Sequence, residues 1–386
     1  MTDWIELSIP SLRGKESEYL KECITTNFVS SVGPFISKFE DLVAHNIGLA
    51  NQKTVATSCG TTALQLGLIA LGVTQNDLVI IPSYTFIATA NSVSHLGAKP
   101  WLMDVEMDYL TIDTEKLLCQ LEENTFSENG HTYHKDTKQK IACIVPVHVF
   151  GHSPDIDKIK NIAKRFSIPI LLDSACGIGS LYKEKRIGEL GLSGIISLNG
   201  NKTITSGAGG IFYSNEESIV RKVRHLSTTA KCSSKYDHDE IGFNYRMSNI
   251  QAAIGLAQIE QLDKILSEKR EIYNIYLKEL GGFNQFRFVS NPPWGESSHW
   301  LNAIFLKDIN HINIEEIFLK FRESKIRANY FWKPLHLQKP YQYSLKTNLE
   351  GLKNIQDRLL TLPSSPTLRL EEQFKIINVI KSYFND

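Results

Sequence analysis

The sequence predicts an α/β fold: a mainly parallel, seven-stranded sheet in a large domain, followed by a smaller C-terminal α+β domain. Three observations carry that prediction. Short β-branched runs alternate with helical patterns between about residues 53 and 215; most of those runs are apolar on both faces; and from about residue 290 prolines and aromatics become prominent. A strand covered by helices on both faces has no polar side, so unbroken apolar runs mark a buried parallel sheet. Strands and helices in alternation place ligands at the carboxyl ends of the strands.

In order, the runs are "KTVAT", "DLVIIP", "KPWLMDV", "KIACIVPVHV", "IPILLD", "GIISL" and "GIFYS". "TTALQLGLIALGV" and "DIDKIKNIAKRFS" read as intervening helices, the second with Ile156, Ile159, Ile162 and Ala163 on one stripe and charges opposite. The polar stretch 121–140, "LEENTFSENGHTYHKDTKQK", is expected as an exposed loop. In "RMSNIQAAIGLAQIEQLDKILSEKREIYNIYLKEL", Ser248 and Gln251 fit a capping box, and Ile254, Ile259, Leu262 and Leu266 keep helical spacing. So long a pattern is expected to bridge two domains: residues 1–250, and residues 251–386 with the bridging helix and the small domain. Beyond it, "SNPPWGESSHWLNAIFL" and "RANYFWKPLH" suggest short strands in an α+β cap.

Bulk properties exclude several function classes. The 386 residues are 42% hydrophobic and 22% charged, enough for a sizeable core. Lys plus Arg equals Asp plus Glu at 42 each, so no positive field is available for nucleic acid or an anionic membrane. Six scattered cysteines without a C-x-x-C pair argue against a disulfide framework or thiolate metal site. Neither a basic-then-apolar leader nor an apolar run of roughly 18 residues occurs, so a cytoplasmic protein is expected. His148 and His152 stand i, i+4 in "HVFGHSP", but the neighbouring Gly and Pro oppose the helix that would bring both onto one metal, and none is expected. "GAGG" lacks the G-x-G-x-x-G spacing of a dinucleotide site.

Three strand ends offer unusual groups. "TVATSCGTTAL" passes through Gly60 into a helix beginning near Thr61, which aims backbone N–H groups and a helix dipole at a phosphate-sized site. "IPILLDSACG" ends an apolar strand with Asp173, a carboxylate costly to bury without a cation. "SLNGNKTITSGAGG" sets Lys202 on a loop of small residues. Each alone has an ordinary reading: a plain turn, an Asx cap, a solvated lysine. Together they supply what pyridoxal 5′-phosphate requires, namely a phosphate anchor, a partner for the pyridinium nitrogen and a nucleophilic amine. Ser197 would add a hydroxyl for the phosphate, and Phe86 in "PSYTFIATAN" a face for the ring. Trp332, Lys333 and His336 could meet a substrate from the second domain or simply pack and be solvated.

With these stretches, "FVSSVGPFISKFE", "VHVFGH" and "FNYRMSNIQAAIG", the chain resembles the sugar-nucleotide aminotransferases of DegT/StrS type, within the aspartate aminotransferase fold. The resemblance implies the pyridoxal-phosphate-dependent transferase fold of type I. It also implies Lys202 as the cofactor lysine, Asp173 as the pyridinium partner, and Ser197, Gly60 and Thr61 as phosphate contacts. Phe86 becomes the stacking ring, and Cys176 stands at the cofactor where family members usually carry Gln, Glu or His. Asn244, in "FNYR", would reach the phosphate of a neighbouring subunit, so that a homodimer shares its sites. "SSHWLNAIFL", "FWKPLHLQKPY" and "RLLTLPSS" are similar to the branch that aminates C4 of UDP-linked 4-keto-6-deoxy-hexoses with L-glutamate for surface glycans and nonulosonic acids. The alternatives are a GDP-linked 4-keto sugar, a 3-keto sugar, a cyclitol, or a non-catalytic sensor or partner-binding protein.

Overall fold

Each of the seven apolar runs contains a strand: β1 (Thr54–Thr57), β2 (Leu78–Pro82), β3 (Lys99–Met103), β4 (Ile141–Ile144), β5 (Leu171–Asp173), β6 (Ser193–Ser197) and β7 (Gly210–Tyr213). The structure is a computed structural model and describes residues 4–307 and 311–385. Ladders join β3 to β2, β2 to β4, β5 to β6, β6 to β7 and β7 to β1. Bridges at Ile144 with Ile170 and Val147 with Asp173 close the gap between β4 and β5. The strand order is therefore 3-2-4-5-6-7-1, parallel except for β7, which runs against both β1 and β6.

Burial explains the apolar runs. Ile196 and Ile211 face one core with Phe39, Val43 and Ala253. Their neighbours Ile195 and Phe212 face the opposite core with Leu64 and Val223. Helices α1 (Glu16–Thr25) and α2 (Pro34–Asn46) precede β1, and α3 (Gly60–Ala70) follows it. Next come α4 (Ile87–Ser94), α5 (Thr114–Asn124), α6 (Ile156–Arg165) and α7 (Glu217–Ser227). Because β1, β5 and β6 are parallel, their carboxyl ends at Thr57, Asp173 and Ser197 open on one edge of the sheet.

Two expectations need correction. The stretch 121–140 is not a loop: α5 runs to Asn124, and Thr125–Glu128 pairs antiparallel with His131–His134 around Asn129 and Gly130, both at positive φ. Asn-Gly is the pairing a two-residue hairpin turn prefers. The long pattern 246–280 is also not one helix. It breaks at Glu260–Gln261 into α8 (Asn249–Ile259) and α9 (Leu262–Leu280). Here α9 spans two cores, with Leu262 and Ile265 in the one beside α2 and Ile272, Tyr276 and Leu280 in another.

That second core lies under a three-stranded antiparallel sheet of β8 (Phe286–Phe288), β9 (Asn302–Leu306) and β10 (Leu359–Leu362). Helix α10 (Ile314–Glu323) and the helix Leu370–Asn385 cover it. Among the described residues no helix is long and apolar enough to cross a membrane.

Candidate active site

A cavity of about 560 Å³ opens at the carboxyl ends of β1, β5 and β6. Its first wall is the turn from β1 into α3. Cys59 caps the helix, with its backbone N–H donating to Thr62 Oγ1, and the first free N–H groups of α3 belong to Gly60 and Thr61 at the cavity edge. Ser197, the last residue of β6, lies against this turn: a methyl on Gly60 would sit 3.0 Å from its Cβ and 3.2 Å from its Oγ. Gly210 is required for the same closeness, since a methyl there would meet the Cys59 carbonyl carbon at 2.5 Å. A hydroxyl beside unpaired helix N–H groups is a phosphate-sized cradle.

Asp173 forms the second wall. It is 3% exposed, and its Oδ2 accepts from Thr89 Oγ1 at 2.8 Å while Oδ1 accepts from the Ala175 N–H at 3.1 Å. Burial pushes its carboxyl above the ordinary range, and the two hydrogen bonds and the nearby Lys202 charge pull it back only in part. Among the described residues no cation forms an ion pair with it. A buried carboxylate without a counter-cation, bordering a cavity, suits a ligand that brings a protonated nitrogen.

Lys202 is the third wall. The loop 198–209 is folded on itself by Lys202 N–H to Asn199 O (3.0 Å), Ser206 N–H to Leu198 O (3.0 Å) and Leu198 N–H to Gly209 O (2.9 Å). Gly207 and Gly209 take positive φ, which explains the small-residue run. Nζ of Lys202 lies 3.2 Å from Cys176 Sγ and 4.0 Å from the centroid of the Trp300 ring. Burial raises the Cys176 thiol, and Lys202 opposes that shift.

Gly60, Thr61, Phe86, Asp173, Cys176 and Ser197 thus surround one cavity with Lys202 and Trp332. Phe86, 54% exposed, sits in its wall at the start of α4. Trp332 reaches in from the segment after α10 with φ +36° and packs on Phe331 (4.8 Å) and Phe150 (5.7 Å). Two expected residues do not line this cavity: Lys333 is exposed, and His336 Nδ1 lies 2.8 Å from Ser83 Oγ. Asn244, expected at the phosphate of a neighbouring subunit, is exposed and bridges to Thr228.

His148 and His152 are buried behind the site, where burial pushes their pKa values down to about 3 and about 4. His148 Nδ1 meets Ser174 Oγ at 3.2 Å. Sequence reasoning assigned no role to Thr89 or Trp300. Thr89 was legible only as a hydroxyl four residues after Thr85, and Trp300 carried no local signal, because it arrives from the turn before β9, about a hundred residues from Lys202.

This fold agrees with the comparisons to known proteins. The sequence profile of the DegT/DnrJ/EryC1/StrS aminotransferase family matches residues 10–381, and the chain belongs to that family. EpsN of Bacillus subtilis is 33% identical over 99% of this chain and 96% of its own length. A GDP-perosamine synthase of Vibrio cholerae is 33% identical over 97% of this chain and 98% of its own. The crystal structure of a DegT DnrJ EryC1 StrS aminotransferase from Brucella abortus superposes with a TM-score of 0.87 at 25% identity, covering 96% of each chain. The protein is a pyridoxal-phosphate-dependent sugar aminotransferase of fold type I.

Proposed function

We propose that this chain moves an amino group from L-glutamate to C4 of a nucleotide-linked 4-keto-6-deoxy-hexose. The observation that supports this most strongly is the meeting of three groups in one cavity: the α3 cradle with Ser197, the uncompensated Asp173 and Lys202. They suit pyridoxal phosphate. When bound, that cofactor supplies an aldehyde to carry the amino group and a ring that draws electrons from the carbon being deprotonated.

The chain's residues then divide the work. Ser197 Oγ and the N–H groups of Gly60 and Thr61 would hold the phosphate. Asp173 would hold the ring N–H, with Thr89 and the Ala175 N–H orienting its carboxylate. Phe86 would face the ring, with Cys176 beside it in the cavity wall. Lys202 Nζ would anchor the cofactor and be the base that moves a proton. Trp332 borders the space left for the sugar, with Lys333 and His336 on the same segment. Water is kept from the inner wall by Trp300, Phe150 and Phe331, packed around Trp332.

The motifs "NGNKTITSGAGG" and "FWKPLHLQKPY" support a UDP-linked sugar. A second reading, a GDP-linked 4-keto sugar, is favoured by the GDP-perosamine synthases of Vibrio cholerae and Escherichia coli O157:H7, alike over nearly the whole chain. A homodimer is part of the proposal. Phe28 and Val32, 42% and 66% exposed, lie on a segment that Asn249 pins through the Phe28 carbonyl and the Phe35 N–H, and Ile241, 89% exposed, lies on the segment bearing Asn244. Exposed apolar groups of this size near the start of α8 suit a second copy. Six free cysteines suit the reducing cytoplasm.

The test supplies the cofactor-loaded protein with L-glutamate and then UDP- and GDP-linked 4-keto-6-deoxy sugars. Glutamate is expected to bleach the visible-edge absorbance, and the accepted sugar to restore it and yield a 4-amino sugar detectable by mass. Lys202→Ala should abolish both responses. Normal turnover by Lys202→Ala, or no amine product from any keto sugar, overturns the reading.

A further inference from the structure

Lys269 is a lysine where none should be cheap. It sits in α9, 1% exposed, with no carboxylate in ion-pair contact among the described residues, and burial brings its pKa down to about 7. A hydrophobic residue would fill the same space without the desolvation cost. What Lys269 does there is donate to two backbone carbonyls, Trp300 O at 3.1 Å and Ser364 O at 2.7 Å. Ser364 is itself tied to the same turn, since its Oγ accepts from the Asn302 N–H at 3.0 Å and the Asn302 Nδ2 at 3.1 Å.

The turn so held is strained and consequential. His299, just before Trp300, has φ +50°, a left-handed conformation that a residue with a side chain seldom adopts. Beyond it the Trp300 indole donates to Asn201 O at 2.6 Å and presents its ring to Lys202 Nζ at 4.0 Å. One continuous path therefore runs from Lys269 through the Trp300 backbone to the face that covers the site lysine. Asn201, the residue preceding Lys202, thus ties the same indole to the lysine's own loop.

We infer that Lys269 is a positioning residue that acts on Lys202 through Trp300, by holding the indole face over Nζ so that the loop lysine stays in place and covered. A cation over an indole face gains roughly 0.5–2 kcal/mol, which holds the Lys202 side chain against the ring. Without Lys269, the Trp300 and Ser364 carbonyls are left buried and unpaired, and the turn relaxes toward other partners. Trp300 then moves from the amine. Catalytic importance for this contact rests on Lys202 being the cofactor lysine; the contact itself does not.

The test reads Lys202 in the apoprotein. Competitive acetylation at fixed neutral pH, quantified by mass on the peptide bearing Lys202, reports how far its amine is held under the ring. Trp300→Leu, which uncovers Nζ, is expected to raise Lys202 labelling about 2- to 30-fold, the factor equivalent to losing the cation–aromatic contact. Trp300→Phe, which keeps a ring, should raise it less. Lys269→Met should raise it in the same direction, and the double variant Lys269→Met with Trp300→Leu should exceed neither single change, since both remove one contact. Lys269→Gln, retaining a donor for one carbonyl, serves where Lys269→Met does not fold and should fall between. A lowered melting temperature with unchanged Lys202 labelling, or additive effects in the double variant, overturns the inference. Absorbance of added pyridoxal phosphate in the same samples separates the two ideas: if the wild type never takes up the cofactor at Lys202, the proposed function fails while the labelling result stands.

Discussion

Asp173 shows how a single residue carries both a cost and a purpose. Its folded pKa lies above its ordinary value of 3.8, so above pH 3.8 the folded state holds a proton that the unfolded chain has released. Stability contributed by this group therefore falls as pH rises from 3.8 toward the folded pKa, and the apoprotein bears that cost. Asp173→Asn removes the cost. At pH 7 the apo variant should melt at or above the wild-type temperature, while pyridoxal phosphate should raise its melting point much less than it raises the wild type's. Melting curves with and without cofactor check both halves; an apo variant far less stable than wild type would assign Asp173 a structural role instead. The sequence already marked Asp173 and Lys202, because a carboxylate ending an apolar run and a lysine among glycines are each out of place locally. Nothing local marks Lys269 or Trp300: one reads as an ordinary helix lysine, the other as a core aromatic, and only the fold turns them toward Lys202.

At the scale of elements, glycines separate close approach from backbone conformation. Gly210 lets β7 lie against the Cys59–Gly60 turn, where a methyl would come within 2.5 Å of backbone. Gly210→Ala should cost about 1–3 kcal/mol and loosen the phosphate cradle, so cofactor retention should fall with stability. Gly130 has φ +77° in the hairpin turn with open space around it. Gly130→Ala should cost about 1 kcal/mol through conformation alone and leave cofactor uptake unchanged. Denaturant titration beside cofactor absorbance distinguishes the two. The hairpin was legible in principle, since "SENGHTYH" contains Asn-Gly between residues able to form strands, but the polar character of 121–140 outweighed that signal. The break between α8 and α9 had no such signal. Neither Gly nor Pro stands at Glu260–Gln261; Gln258 is instead drawn inward, its Nε2 donating to Ser11 O at 2.7 Å and Glu16 Oε1 at 2.6 Å.

Across the whole molecule, four buried histidines shape the response to acid, His134 among them with its pKa lowered by burial, and three are shifted far enough to dominate it. Burial holds His148, His152 and His299 near 3, 4 and 3, below the ordinary 6.5, so as pH falls below 6.5 the unfolded chain takes up protons that the folded one refuses. Stability should be lost through that window, by up to about 4 kcal/mol per pH unit near pH 5 if all three count. His299→Phe, which keeps a ring on Tyr273 at the present 4.2 Å stack, should reduce the slope by about 1.4 kcal/mol per unit, measured by urea unfolding at a series of pH values. The proposed dimer predicts complementation: Asn244→Ala mixed with Lys202→Ala should regain activity through heterodimers carrying one intact site. No gain despite subunit exchange would remove Asn244 from the partner's site.

By itself the sequence determined the strand runs, the mainly parallel layer and the three strand ends that carry chemistry. These follow from local pattern: burial on both faces forbids polar residues, and tight loops demand small ones. Tertiary structure alone decided the order 3-2-4-5-6-7-1, the reversal of β7, the arrival of Trp300 and Trp332 in the cavity with Lys202, and the placing of Lys269 behind Trp300. Those contacts join residues far apart in the chain. They are selected by how whole faces pack, and no single segment encodes them.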